Sequence, residues 1–257
     1  MCLGNALRAT LIVGCGWLCE STADAALHAT PLTPIDGKGV ERGVVLVRCA
    51  TASADVVILS RGAVLDLDLA REDRDLVLTA AHGLPTDRRA VLRHCRVIGE
   101  RGFAYRIAEV FRAAQGPTDD GRHDWAALLV RHRLDGAVGR LPAARVSGEA
   151  LTRLAAREAP VRLLLRYADV HQGDCHLLPF EAAPPQDALV YSCRSAPGLS
   201  GSPVLAGING RMLVIGIHLG WALQPVEDGR LRLVSVGYPI DAEIAAAITS
   251  ASQWARQ

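Results

Sequence analysis

From residue 44 onward the chain is a series of short β-branched and other apolar runs separated by polar or Gly/Pro punctuation, which is the pattern of strands separated by turns. The runs fall at 44–49, 56–60, 76–79, 91–98 and 126–130 in the first half, and at 161–167, 189–193, 203–205, 212–218 and 231–238 in the second. Between two of them Ile208-Asn209-Gly210 supplies a hairpin turn, since Asn-Gly tolerates positive φ. Two stretches depart from this rhythm. Residues 148–158 predict a short connecting helix or linker that Pro160 ends, and residues 241–254 predict a tail helix capped by Asp241, with Ile244, Ile248 and Ala251 on one face. That tail is expected to pack on the second group of strands. Many short strands without long helices between them argue against a doubly wound α/β sheet and for antiparallel barrels or sandwiches.

The 257 residues, half of them apolar, suffice for one globular unit of two subdomains. A formal net charge of +1, with basic and acidic residues interspersed, creates no field that would steer a phosphate backbone. Nucleic acid is therefore not an expected partner. Near the start, Arg8 precedes an apolar run over 9–19 and then small residues over 21–26. The run is too short to span a bilayer and reads as a secretory signal over residues 1–25, cleaved near Ala25. Ile12-Val13-Gly14-Cys15 also fits a lipoprotein signal, with the lipid on Cys15. Residues 26–43 read as an N-terminal arm or short propeptide. Lys38 is the sole lysine against many arginines and alanines, a bias of GC-rich bacterial coding. The expectation is an exported bacterial protein, periplasmic or extracellular, monomeric, with no transmembrane span once the signal is gone.

Removing that signal takes away Cys2, Cys15 and Cys19 and leaves Cys49, Cys95, Cys175 and Cys193, an even number that suits an oxidising compartment. Four cysteines allow three pairings, and the sequence alone does not choose among them; Cys175 and Cys193 bracket a short β-rich stretch, which favours that pair and, beside it, Cys49 with Cys95, with free buried thiols as the alternative. No CxxC or HExxH spacing occurs, so neither a zinc site nor any other cofactor is expected.

Three local blocks carry chemistry. Leu76-Val77-Leu78-Thr79-Ala80-Ala81-His82 is an apolar strand that delivers a histidine as it ends. In His123-Asp124-Trp125-Ala126-Ala127-Leu128-Leu129-Val130 a carboxylate precedes a buried strand, where a charge needs a partner. In Pro197-Gly198-Leu199-Ser200-Gly201-Ser202-Pro203 glycines on both sides of a serine permit a tight turn that aims main-chain N–H groups at one point. Together they offer a nucleophile (Ser200), a base (His82), an orienting carboxylate (Asp124) and an oxyanion hole from the N–H groups of Gly198 and Ser200.

In this order the blocks resemble those of the trypsin-like, or chymotrypsin-fold, serine proteases: T-A-A-H, D-[IV]-A-L-[LI] and G-[DNS]-S-G-[GS]-P, matched by Thr79 to His82, loosely by Asp124 to Leu128, and by Gly198 to Pro203. The resemblance implies an all-β fold of two antiparallel six-stranded barrels, the first over about 44–145 and the second over about 160–240, followed by the helix at 241–254. His82 and Asp124 would lie on the first barrel and Ser200 on the second. It also implies a serine endopeptidase acting on protein or peptide substrates. Three departures are visible. Gly83 replaces the cysteine that usually braces the histidine loop; Leu199 replaces the aspartate that pairs with a newly released N-terminus, which excludes activation by that ion pair; and His218 stands where many relatives carry a serine on the triad carboxylate, so Asp124 is expected to be supported differently.

Val214-Ile215-Gly216-Ile217-His218-Leu219-Gly220 also resembles the G-I-H-W-G block of bacterial glutamyl endopeptidases. That likeness implies that His218, with the hydroxyl of Ser195 and the guanidinium of Arg194, lines a pocket for an acidic side chain. Two other functions fit the same residues: a noncatalytic protein of this fold that binds peptides, and a serine esterase.

Overall fold

The computed structural model describes residues 40–50, 57–67, 73–113, 123–163, 175–179, 188–208, 210–225 and 230–255. The expected signal with Cys15 and Ala25, the arm as far as residue 39, and Asn209 lie outside the described residues. Two sheets dominate. Strands β1 (Val44–Ala50), β2 (Val57–Val64), β3 (Leu76–Thr79), β4 (Cys95–Ile98), β5 (Ala104–Arg112) and β6 (Ala126–Val130) close into an antiparallel barrel of order β1-β2-β3-β6-β5-β4. Strands β7 (Pro160–Leu163), β8 (Cys175–His176), β9 (Leu189–Tyr191), β10 (Pro203–Ile208), β11 (Arg211–Pro225) and β12 (Leu231–Pro239) form a six-stranded sheet of order β8-β7-β10-β11-β12-β9. It curls until Leu177, just past β8, bridges Tyr191 of β9. The α-helices among the described residues are α1 (Arg88–His94), α2 (Gly148–Ala156) and α3 (Ala242–Trp254).

Each sheet has its own apolar filling, and a third cluster joins them. Val77 of β3 and Ala126, Leu128 and Val130 of β6 point into the first barrel. Their neighbours Leu76, Leu78, Ala127 and Leu129 point the other way and meet Leu205, Val214, Ile217 and Tyr238 of the second sheet. Because side chains alternate along a strand, β3 and β6 are buried on both faces, which is why Leu76–Thr79 and Ala126–Val130 are unbroken apolar runs. The connector between the halves is stitched to each in turn, Leu65 bridging Leu141 and Val214 bridging Ala143.

Two disulfides brace the sheets. Cys49 pairs with Cys95 across β1 and β4, and Cys175 with Cys193 across the ends of the second sheet. Closing loops of these lengths stabilises by roughly 3–4 kcal/mol each in the chain-entropy account. Such bonds suit an oxidising compartment. No helix among the described residues is long and apolar enough to cross a membrane.

Three expectations need correction. Residues 91–94 are not strand but the end of α1, because the Asp87 side chain accepts from the Ala90 N–H and caps a helix that carries Val91 into the core; only Cys95–Ile98 is strand. β5 was not expected as a strand at all. Its charged residues obscure the alternation, yet buried Glu109 is held by a forked pair to Arg88. The third correction concerns α3, which leaves β12 of the second sheet but docks on the first barrel. Ile244 and Ala251 pack with Ala113 and Trp125, and Arg74 stacks 5.0 Å from the Trp254 ring. An apolar stripe at helical spacing says that a helix packs, not against what.

Candidate active site

β3 and β6 are hydrogen-bonded neighbours, Thr79 opposite Ala126. The residues that continue β3 and precede β6 therefore emerge side by side, and these are His82, in a 3-10 turn at Ala81–Gly83, and Asp124. The carboxylate grips the histidine twice: Oδ1 accepts from the His82 backbone N–H at 2.8 Å, and Oδ2 lies 2.6 Å from Nδ1. Asp124 is buried while the His82 side chain is 43% exposed, so the far edge of the imidazole faces an open groove. The hydrogen bond that His82 Nδ1–H donates to Asp124 outweighs burial and raises the His82 pKa above its usual 6.5.

Ser200 comes from the other half, on the loop between β9 and β10. Its Oγ lies 2.8 Å from His82 Nε2 and 3.2 Å from the Leu219 carbonyl. Main-chain bonds set this loop. Ser200 O accepts from the Arg61 N–H of β2 at 2.7 Å, Gly201 N–H donates to His218 O at 2.7 Å, and Ser202 N–H donates to Leu199 O at 2.9 Å. Gly198 and Gly201 both sit at φ +82°, the left-handed region that glycine adopts without strain. No acceptor among the described residues takes the N–H of Gly198 or of Ser200.

Leu199 offers no charge to hold this turn and is buried in the second sheet's apolar cluster. The neighbouring carbonyl of Gly198 is tied instead to the first barrel by the Arg61 guanidinium. The loop is thus anchored on one side by apolar burial and on the other by a charge-assisted bond.

His218 is buried, and among the described residues no hydrogen bond joins it to Asp124. Its Nδ1 lies 2.5 Å from Tyr191 Oη and its Nε2 2.9 Å from Ser195 Oγ. Burial keeps the Tyr191 phenol protonated far above its usual range. Its proton has the one acceptor His218 Nδ1 among the described residues, so Nε2–H donates to Ser195 and the Ser195 hydroxyl is left to donate outward. Arg194 is exposed next to Ser195.

Burial, with the charges of His82 and Arg61, holds the His218 pKa at about 4. The folded protein therefore keeps His218 neutral where the unfolded chain binds a proton near pH 6.5. Stability from this group is complete above that pH and is lost as pH falls towards 4, by about 3 kcal/mol. Urea unfolding at pH 7, 5.5 and 4 is expected to show the loss, and His218→Gln to flatten it.

All the residues singled out as a triad meet at one point, and Ser195 and His218 meet beside it. Tyr191, Arg61 and the Leu219 carbonyl were not foreseen. A tyrosine in an apolar strand and an arginine in a short β-run carry no local sign of partners far along the chain. Comparison with known proteins adds no name to this geometry: no family model matches the chain, and no curated protein is detectably similar to it.

Proposed function

We propose that the chain is an exported serine endopeptidase of the trypsin-like class, with residues 44–257 as its catalytic domain. The observation that carries the reading is the unbroken relay Asp124 Oδ2 to His82 Nδ1 at 2.6 Å and His82 Nε2 to Ser200 Oγ at 2.8 Å. In the proposed reaction His82 Nε2 takes the Ser200 proton as Oγ attacks the scissile carbonyl. The oxyanion that forms is received by the N–H groups of Gly198 and Ser200. The imidazolium is held in place by Asp124 and gives its proton to the leaving amine, which departs and leaves an acyl group on Ser200. Water, activated by the same imidazole, then releases the acid and restores the serine. Activity is expected to rise with pH as His82 loses its proton.

The favoured residue before the cut is acidic. A Ser195 hydroxyl that must donate outward, backed by neutral His218 and Tyr191, suits a carboxylate acceptor, and Arg194 is exposed alongside. A fluorophosphonate probe is expected to label Ser200 in the folded protein, and a peptide library to be cut after Glu, less readily after Asp. Folded protein that takes no label is a binding protein of this fold; esters turned over without amides mark an esterase; and cuts after Arg, Lys or aromatic residues reject the acidic pocket alone.

A further inference from the structure

The Asp124 carboxylate has a peculiarity. Both of its oxygens are spent on His82, and among the described residues no other donor reaches it. His218 is turned away to Tyr191 and Ser195, and the buried Ser202 hydroxyl has no hydrogen-bond partner among the described residues. Beyond the His82 main-chain N–H, the carboxylate takes its direction from its own backbone. That backbone is itself under tension, for the preceding residue, His123, sits at φ +57°, a conformation that costs a non-glycine residue about 1 kcal/mol or more unless its surroundings enforce it.

The enforcement comes from α3. Oε2 of Glu243, in the first turn of that helix, lies 2.8 Å from His123 Nδ1 and accepts from Trp125 Nε1 at 3.4 Å. One carboxylate oxygen thus holds the residues on both sides of Asp124. The helix that carries it is fixed at its start, where Asp241 caps the Ile244 N–H and accepts from the Tyr238 hydroxyl at 2.9 Å. Towards its end it is fixed by Ala251 in the core and Trp254 under Arg74.

We propose that Glu243 is a positioning residue for the triad: through His123 and Trp125 it fixes Asp124 against His82, so that the tail helix is part of the reactive apparatus. The inference rests on the serine-hydrolase reading only for its kinetic consequence. The geometric claim, that Glu243 sets the Asp124–His82 contact, stands apart from it.

The test uses the full chain and reads His82 directly. Its imidazole pKa, followed by NMR, reports the Asp124 contact that raises it; the neighbouring His218 ring, on which the His82 charge acts, is untouched by the substitution. Glu243→Ala is expected to bring the His82 pKa down towards 6.5 and to lower kcat about tenfold with KM nearly unchanged, the size of effect that a small misplacement of a catalytic group produces. Glu243→Gln keeps an acceptor oxygen and is expected to restore most of both, and it serves as the folded comparison should the alanine variant be unstable. Ile248→Ala, which loosens the same helix without touching the carboxylate, is the control for stability. A wild-type His82 pKa in Glu243→Ala overturns the proposal, as does Ile248→Ala reproducing the fall at an equal loss of Tm. Wild-type protein that no fluorophosphonate labels overturns the hydrolase reading while the NMR comparison still decides the role of Glu243.

Discussion

Ser200→Ala is expected to lower kcat by about a million-fold while leaving KM and Tm near their wild-type values, the scale on which serine triads lose activity when the nucleophile is removed. The geometry says why the effect falls on kcat. Among the described residues the Ser200 hydroxyl has two hydrogen-bond partners, His82 Nε2 and the Leu219 carbonyl, and its backbone bonds survive the change. Steady-state hydrolysis of an acidic peptide ester, with binding of a product peptide followed separately, checks both halves. Retention of more than about a hundredth of the wild-type rate would assign the chemistry to another group.

Gly201→Ala is expected to be the most damaging single methyl group. A Cβ at this position would lie 2.1 Å from the Arg61 carbonyl oxygen, 2.5 Å from Thr79 Oγ1 and 3.0 Å from the Ala80 nitrogen, in a residue already at φ +82°. Two of those three atoms are backbone of the first barrel and cannot swing aside. Relief has to come from moving the nucleophile loop away from β2, which breaks the Arg61 N–H to Ser200 O bond. Strain plus the lost bond amount to about 3 kcal/mol or more. Chemical denaturation is expected to show that loss, and fluorophosphonate labelling to slow sharply even in the fraction that remains folded. Gly210→Ala is the comparison, since the same methyl would meet nothing within 4 Å there at a similar φ of +71°.

What could be read from the chain depended on how local the cause was. His82, Asp124 and Ser200 each sit in a short block whose own residues create the local geometry: an apolar strand that ends, an apolar strand that begins, a turn that needs glycine. The distance between blocks did not matter, because β3 and β6 pair and bring the ends of two of the blocks side by side. Both cysteine pairings followed as well. The errors share an opposite origin. Val91 belongs to a helix because Asp87, four residues earlier, caps it, and the β-branched side chain gave the more visible signal. β11 runs on to Pro225, past the expected 212–218, because β12 pairs with it beyond an irregular register at His218 and Gly220. The docking of α3 on the first barrel, the Tyr191–His218 bond and the Glu243 contacts all join residues whose partners lie far away in sequence, and nothing in the immediate neighbourhood of any of them announces the other.

The bond from Arg61 to Ser200 and the one from Arg61 to Gly198 both cross from one barrel to the other. A half-finished chain containing only the earlier barrel would own a base and its carboxylate with nothing to deprotonate; the later portion alone would hold an alcohol with no imidazole to ionise it. On the proposed reading, hydrolytic power is withheld until docking is complete, so a nascent or partly unfolded copy poses no danger to its neighbours.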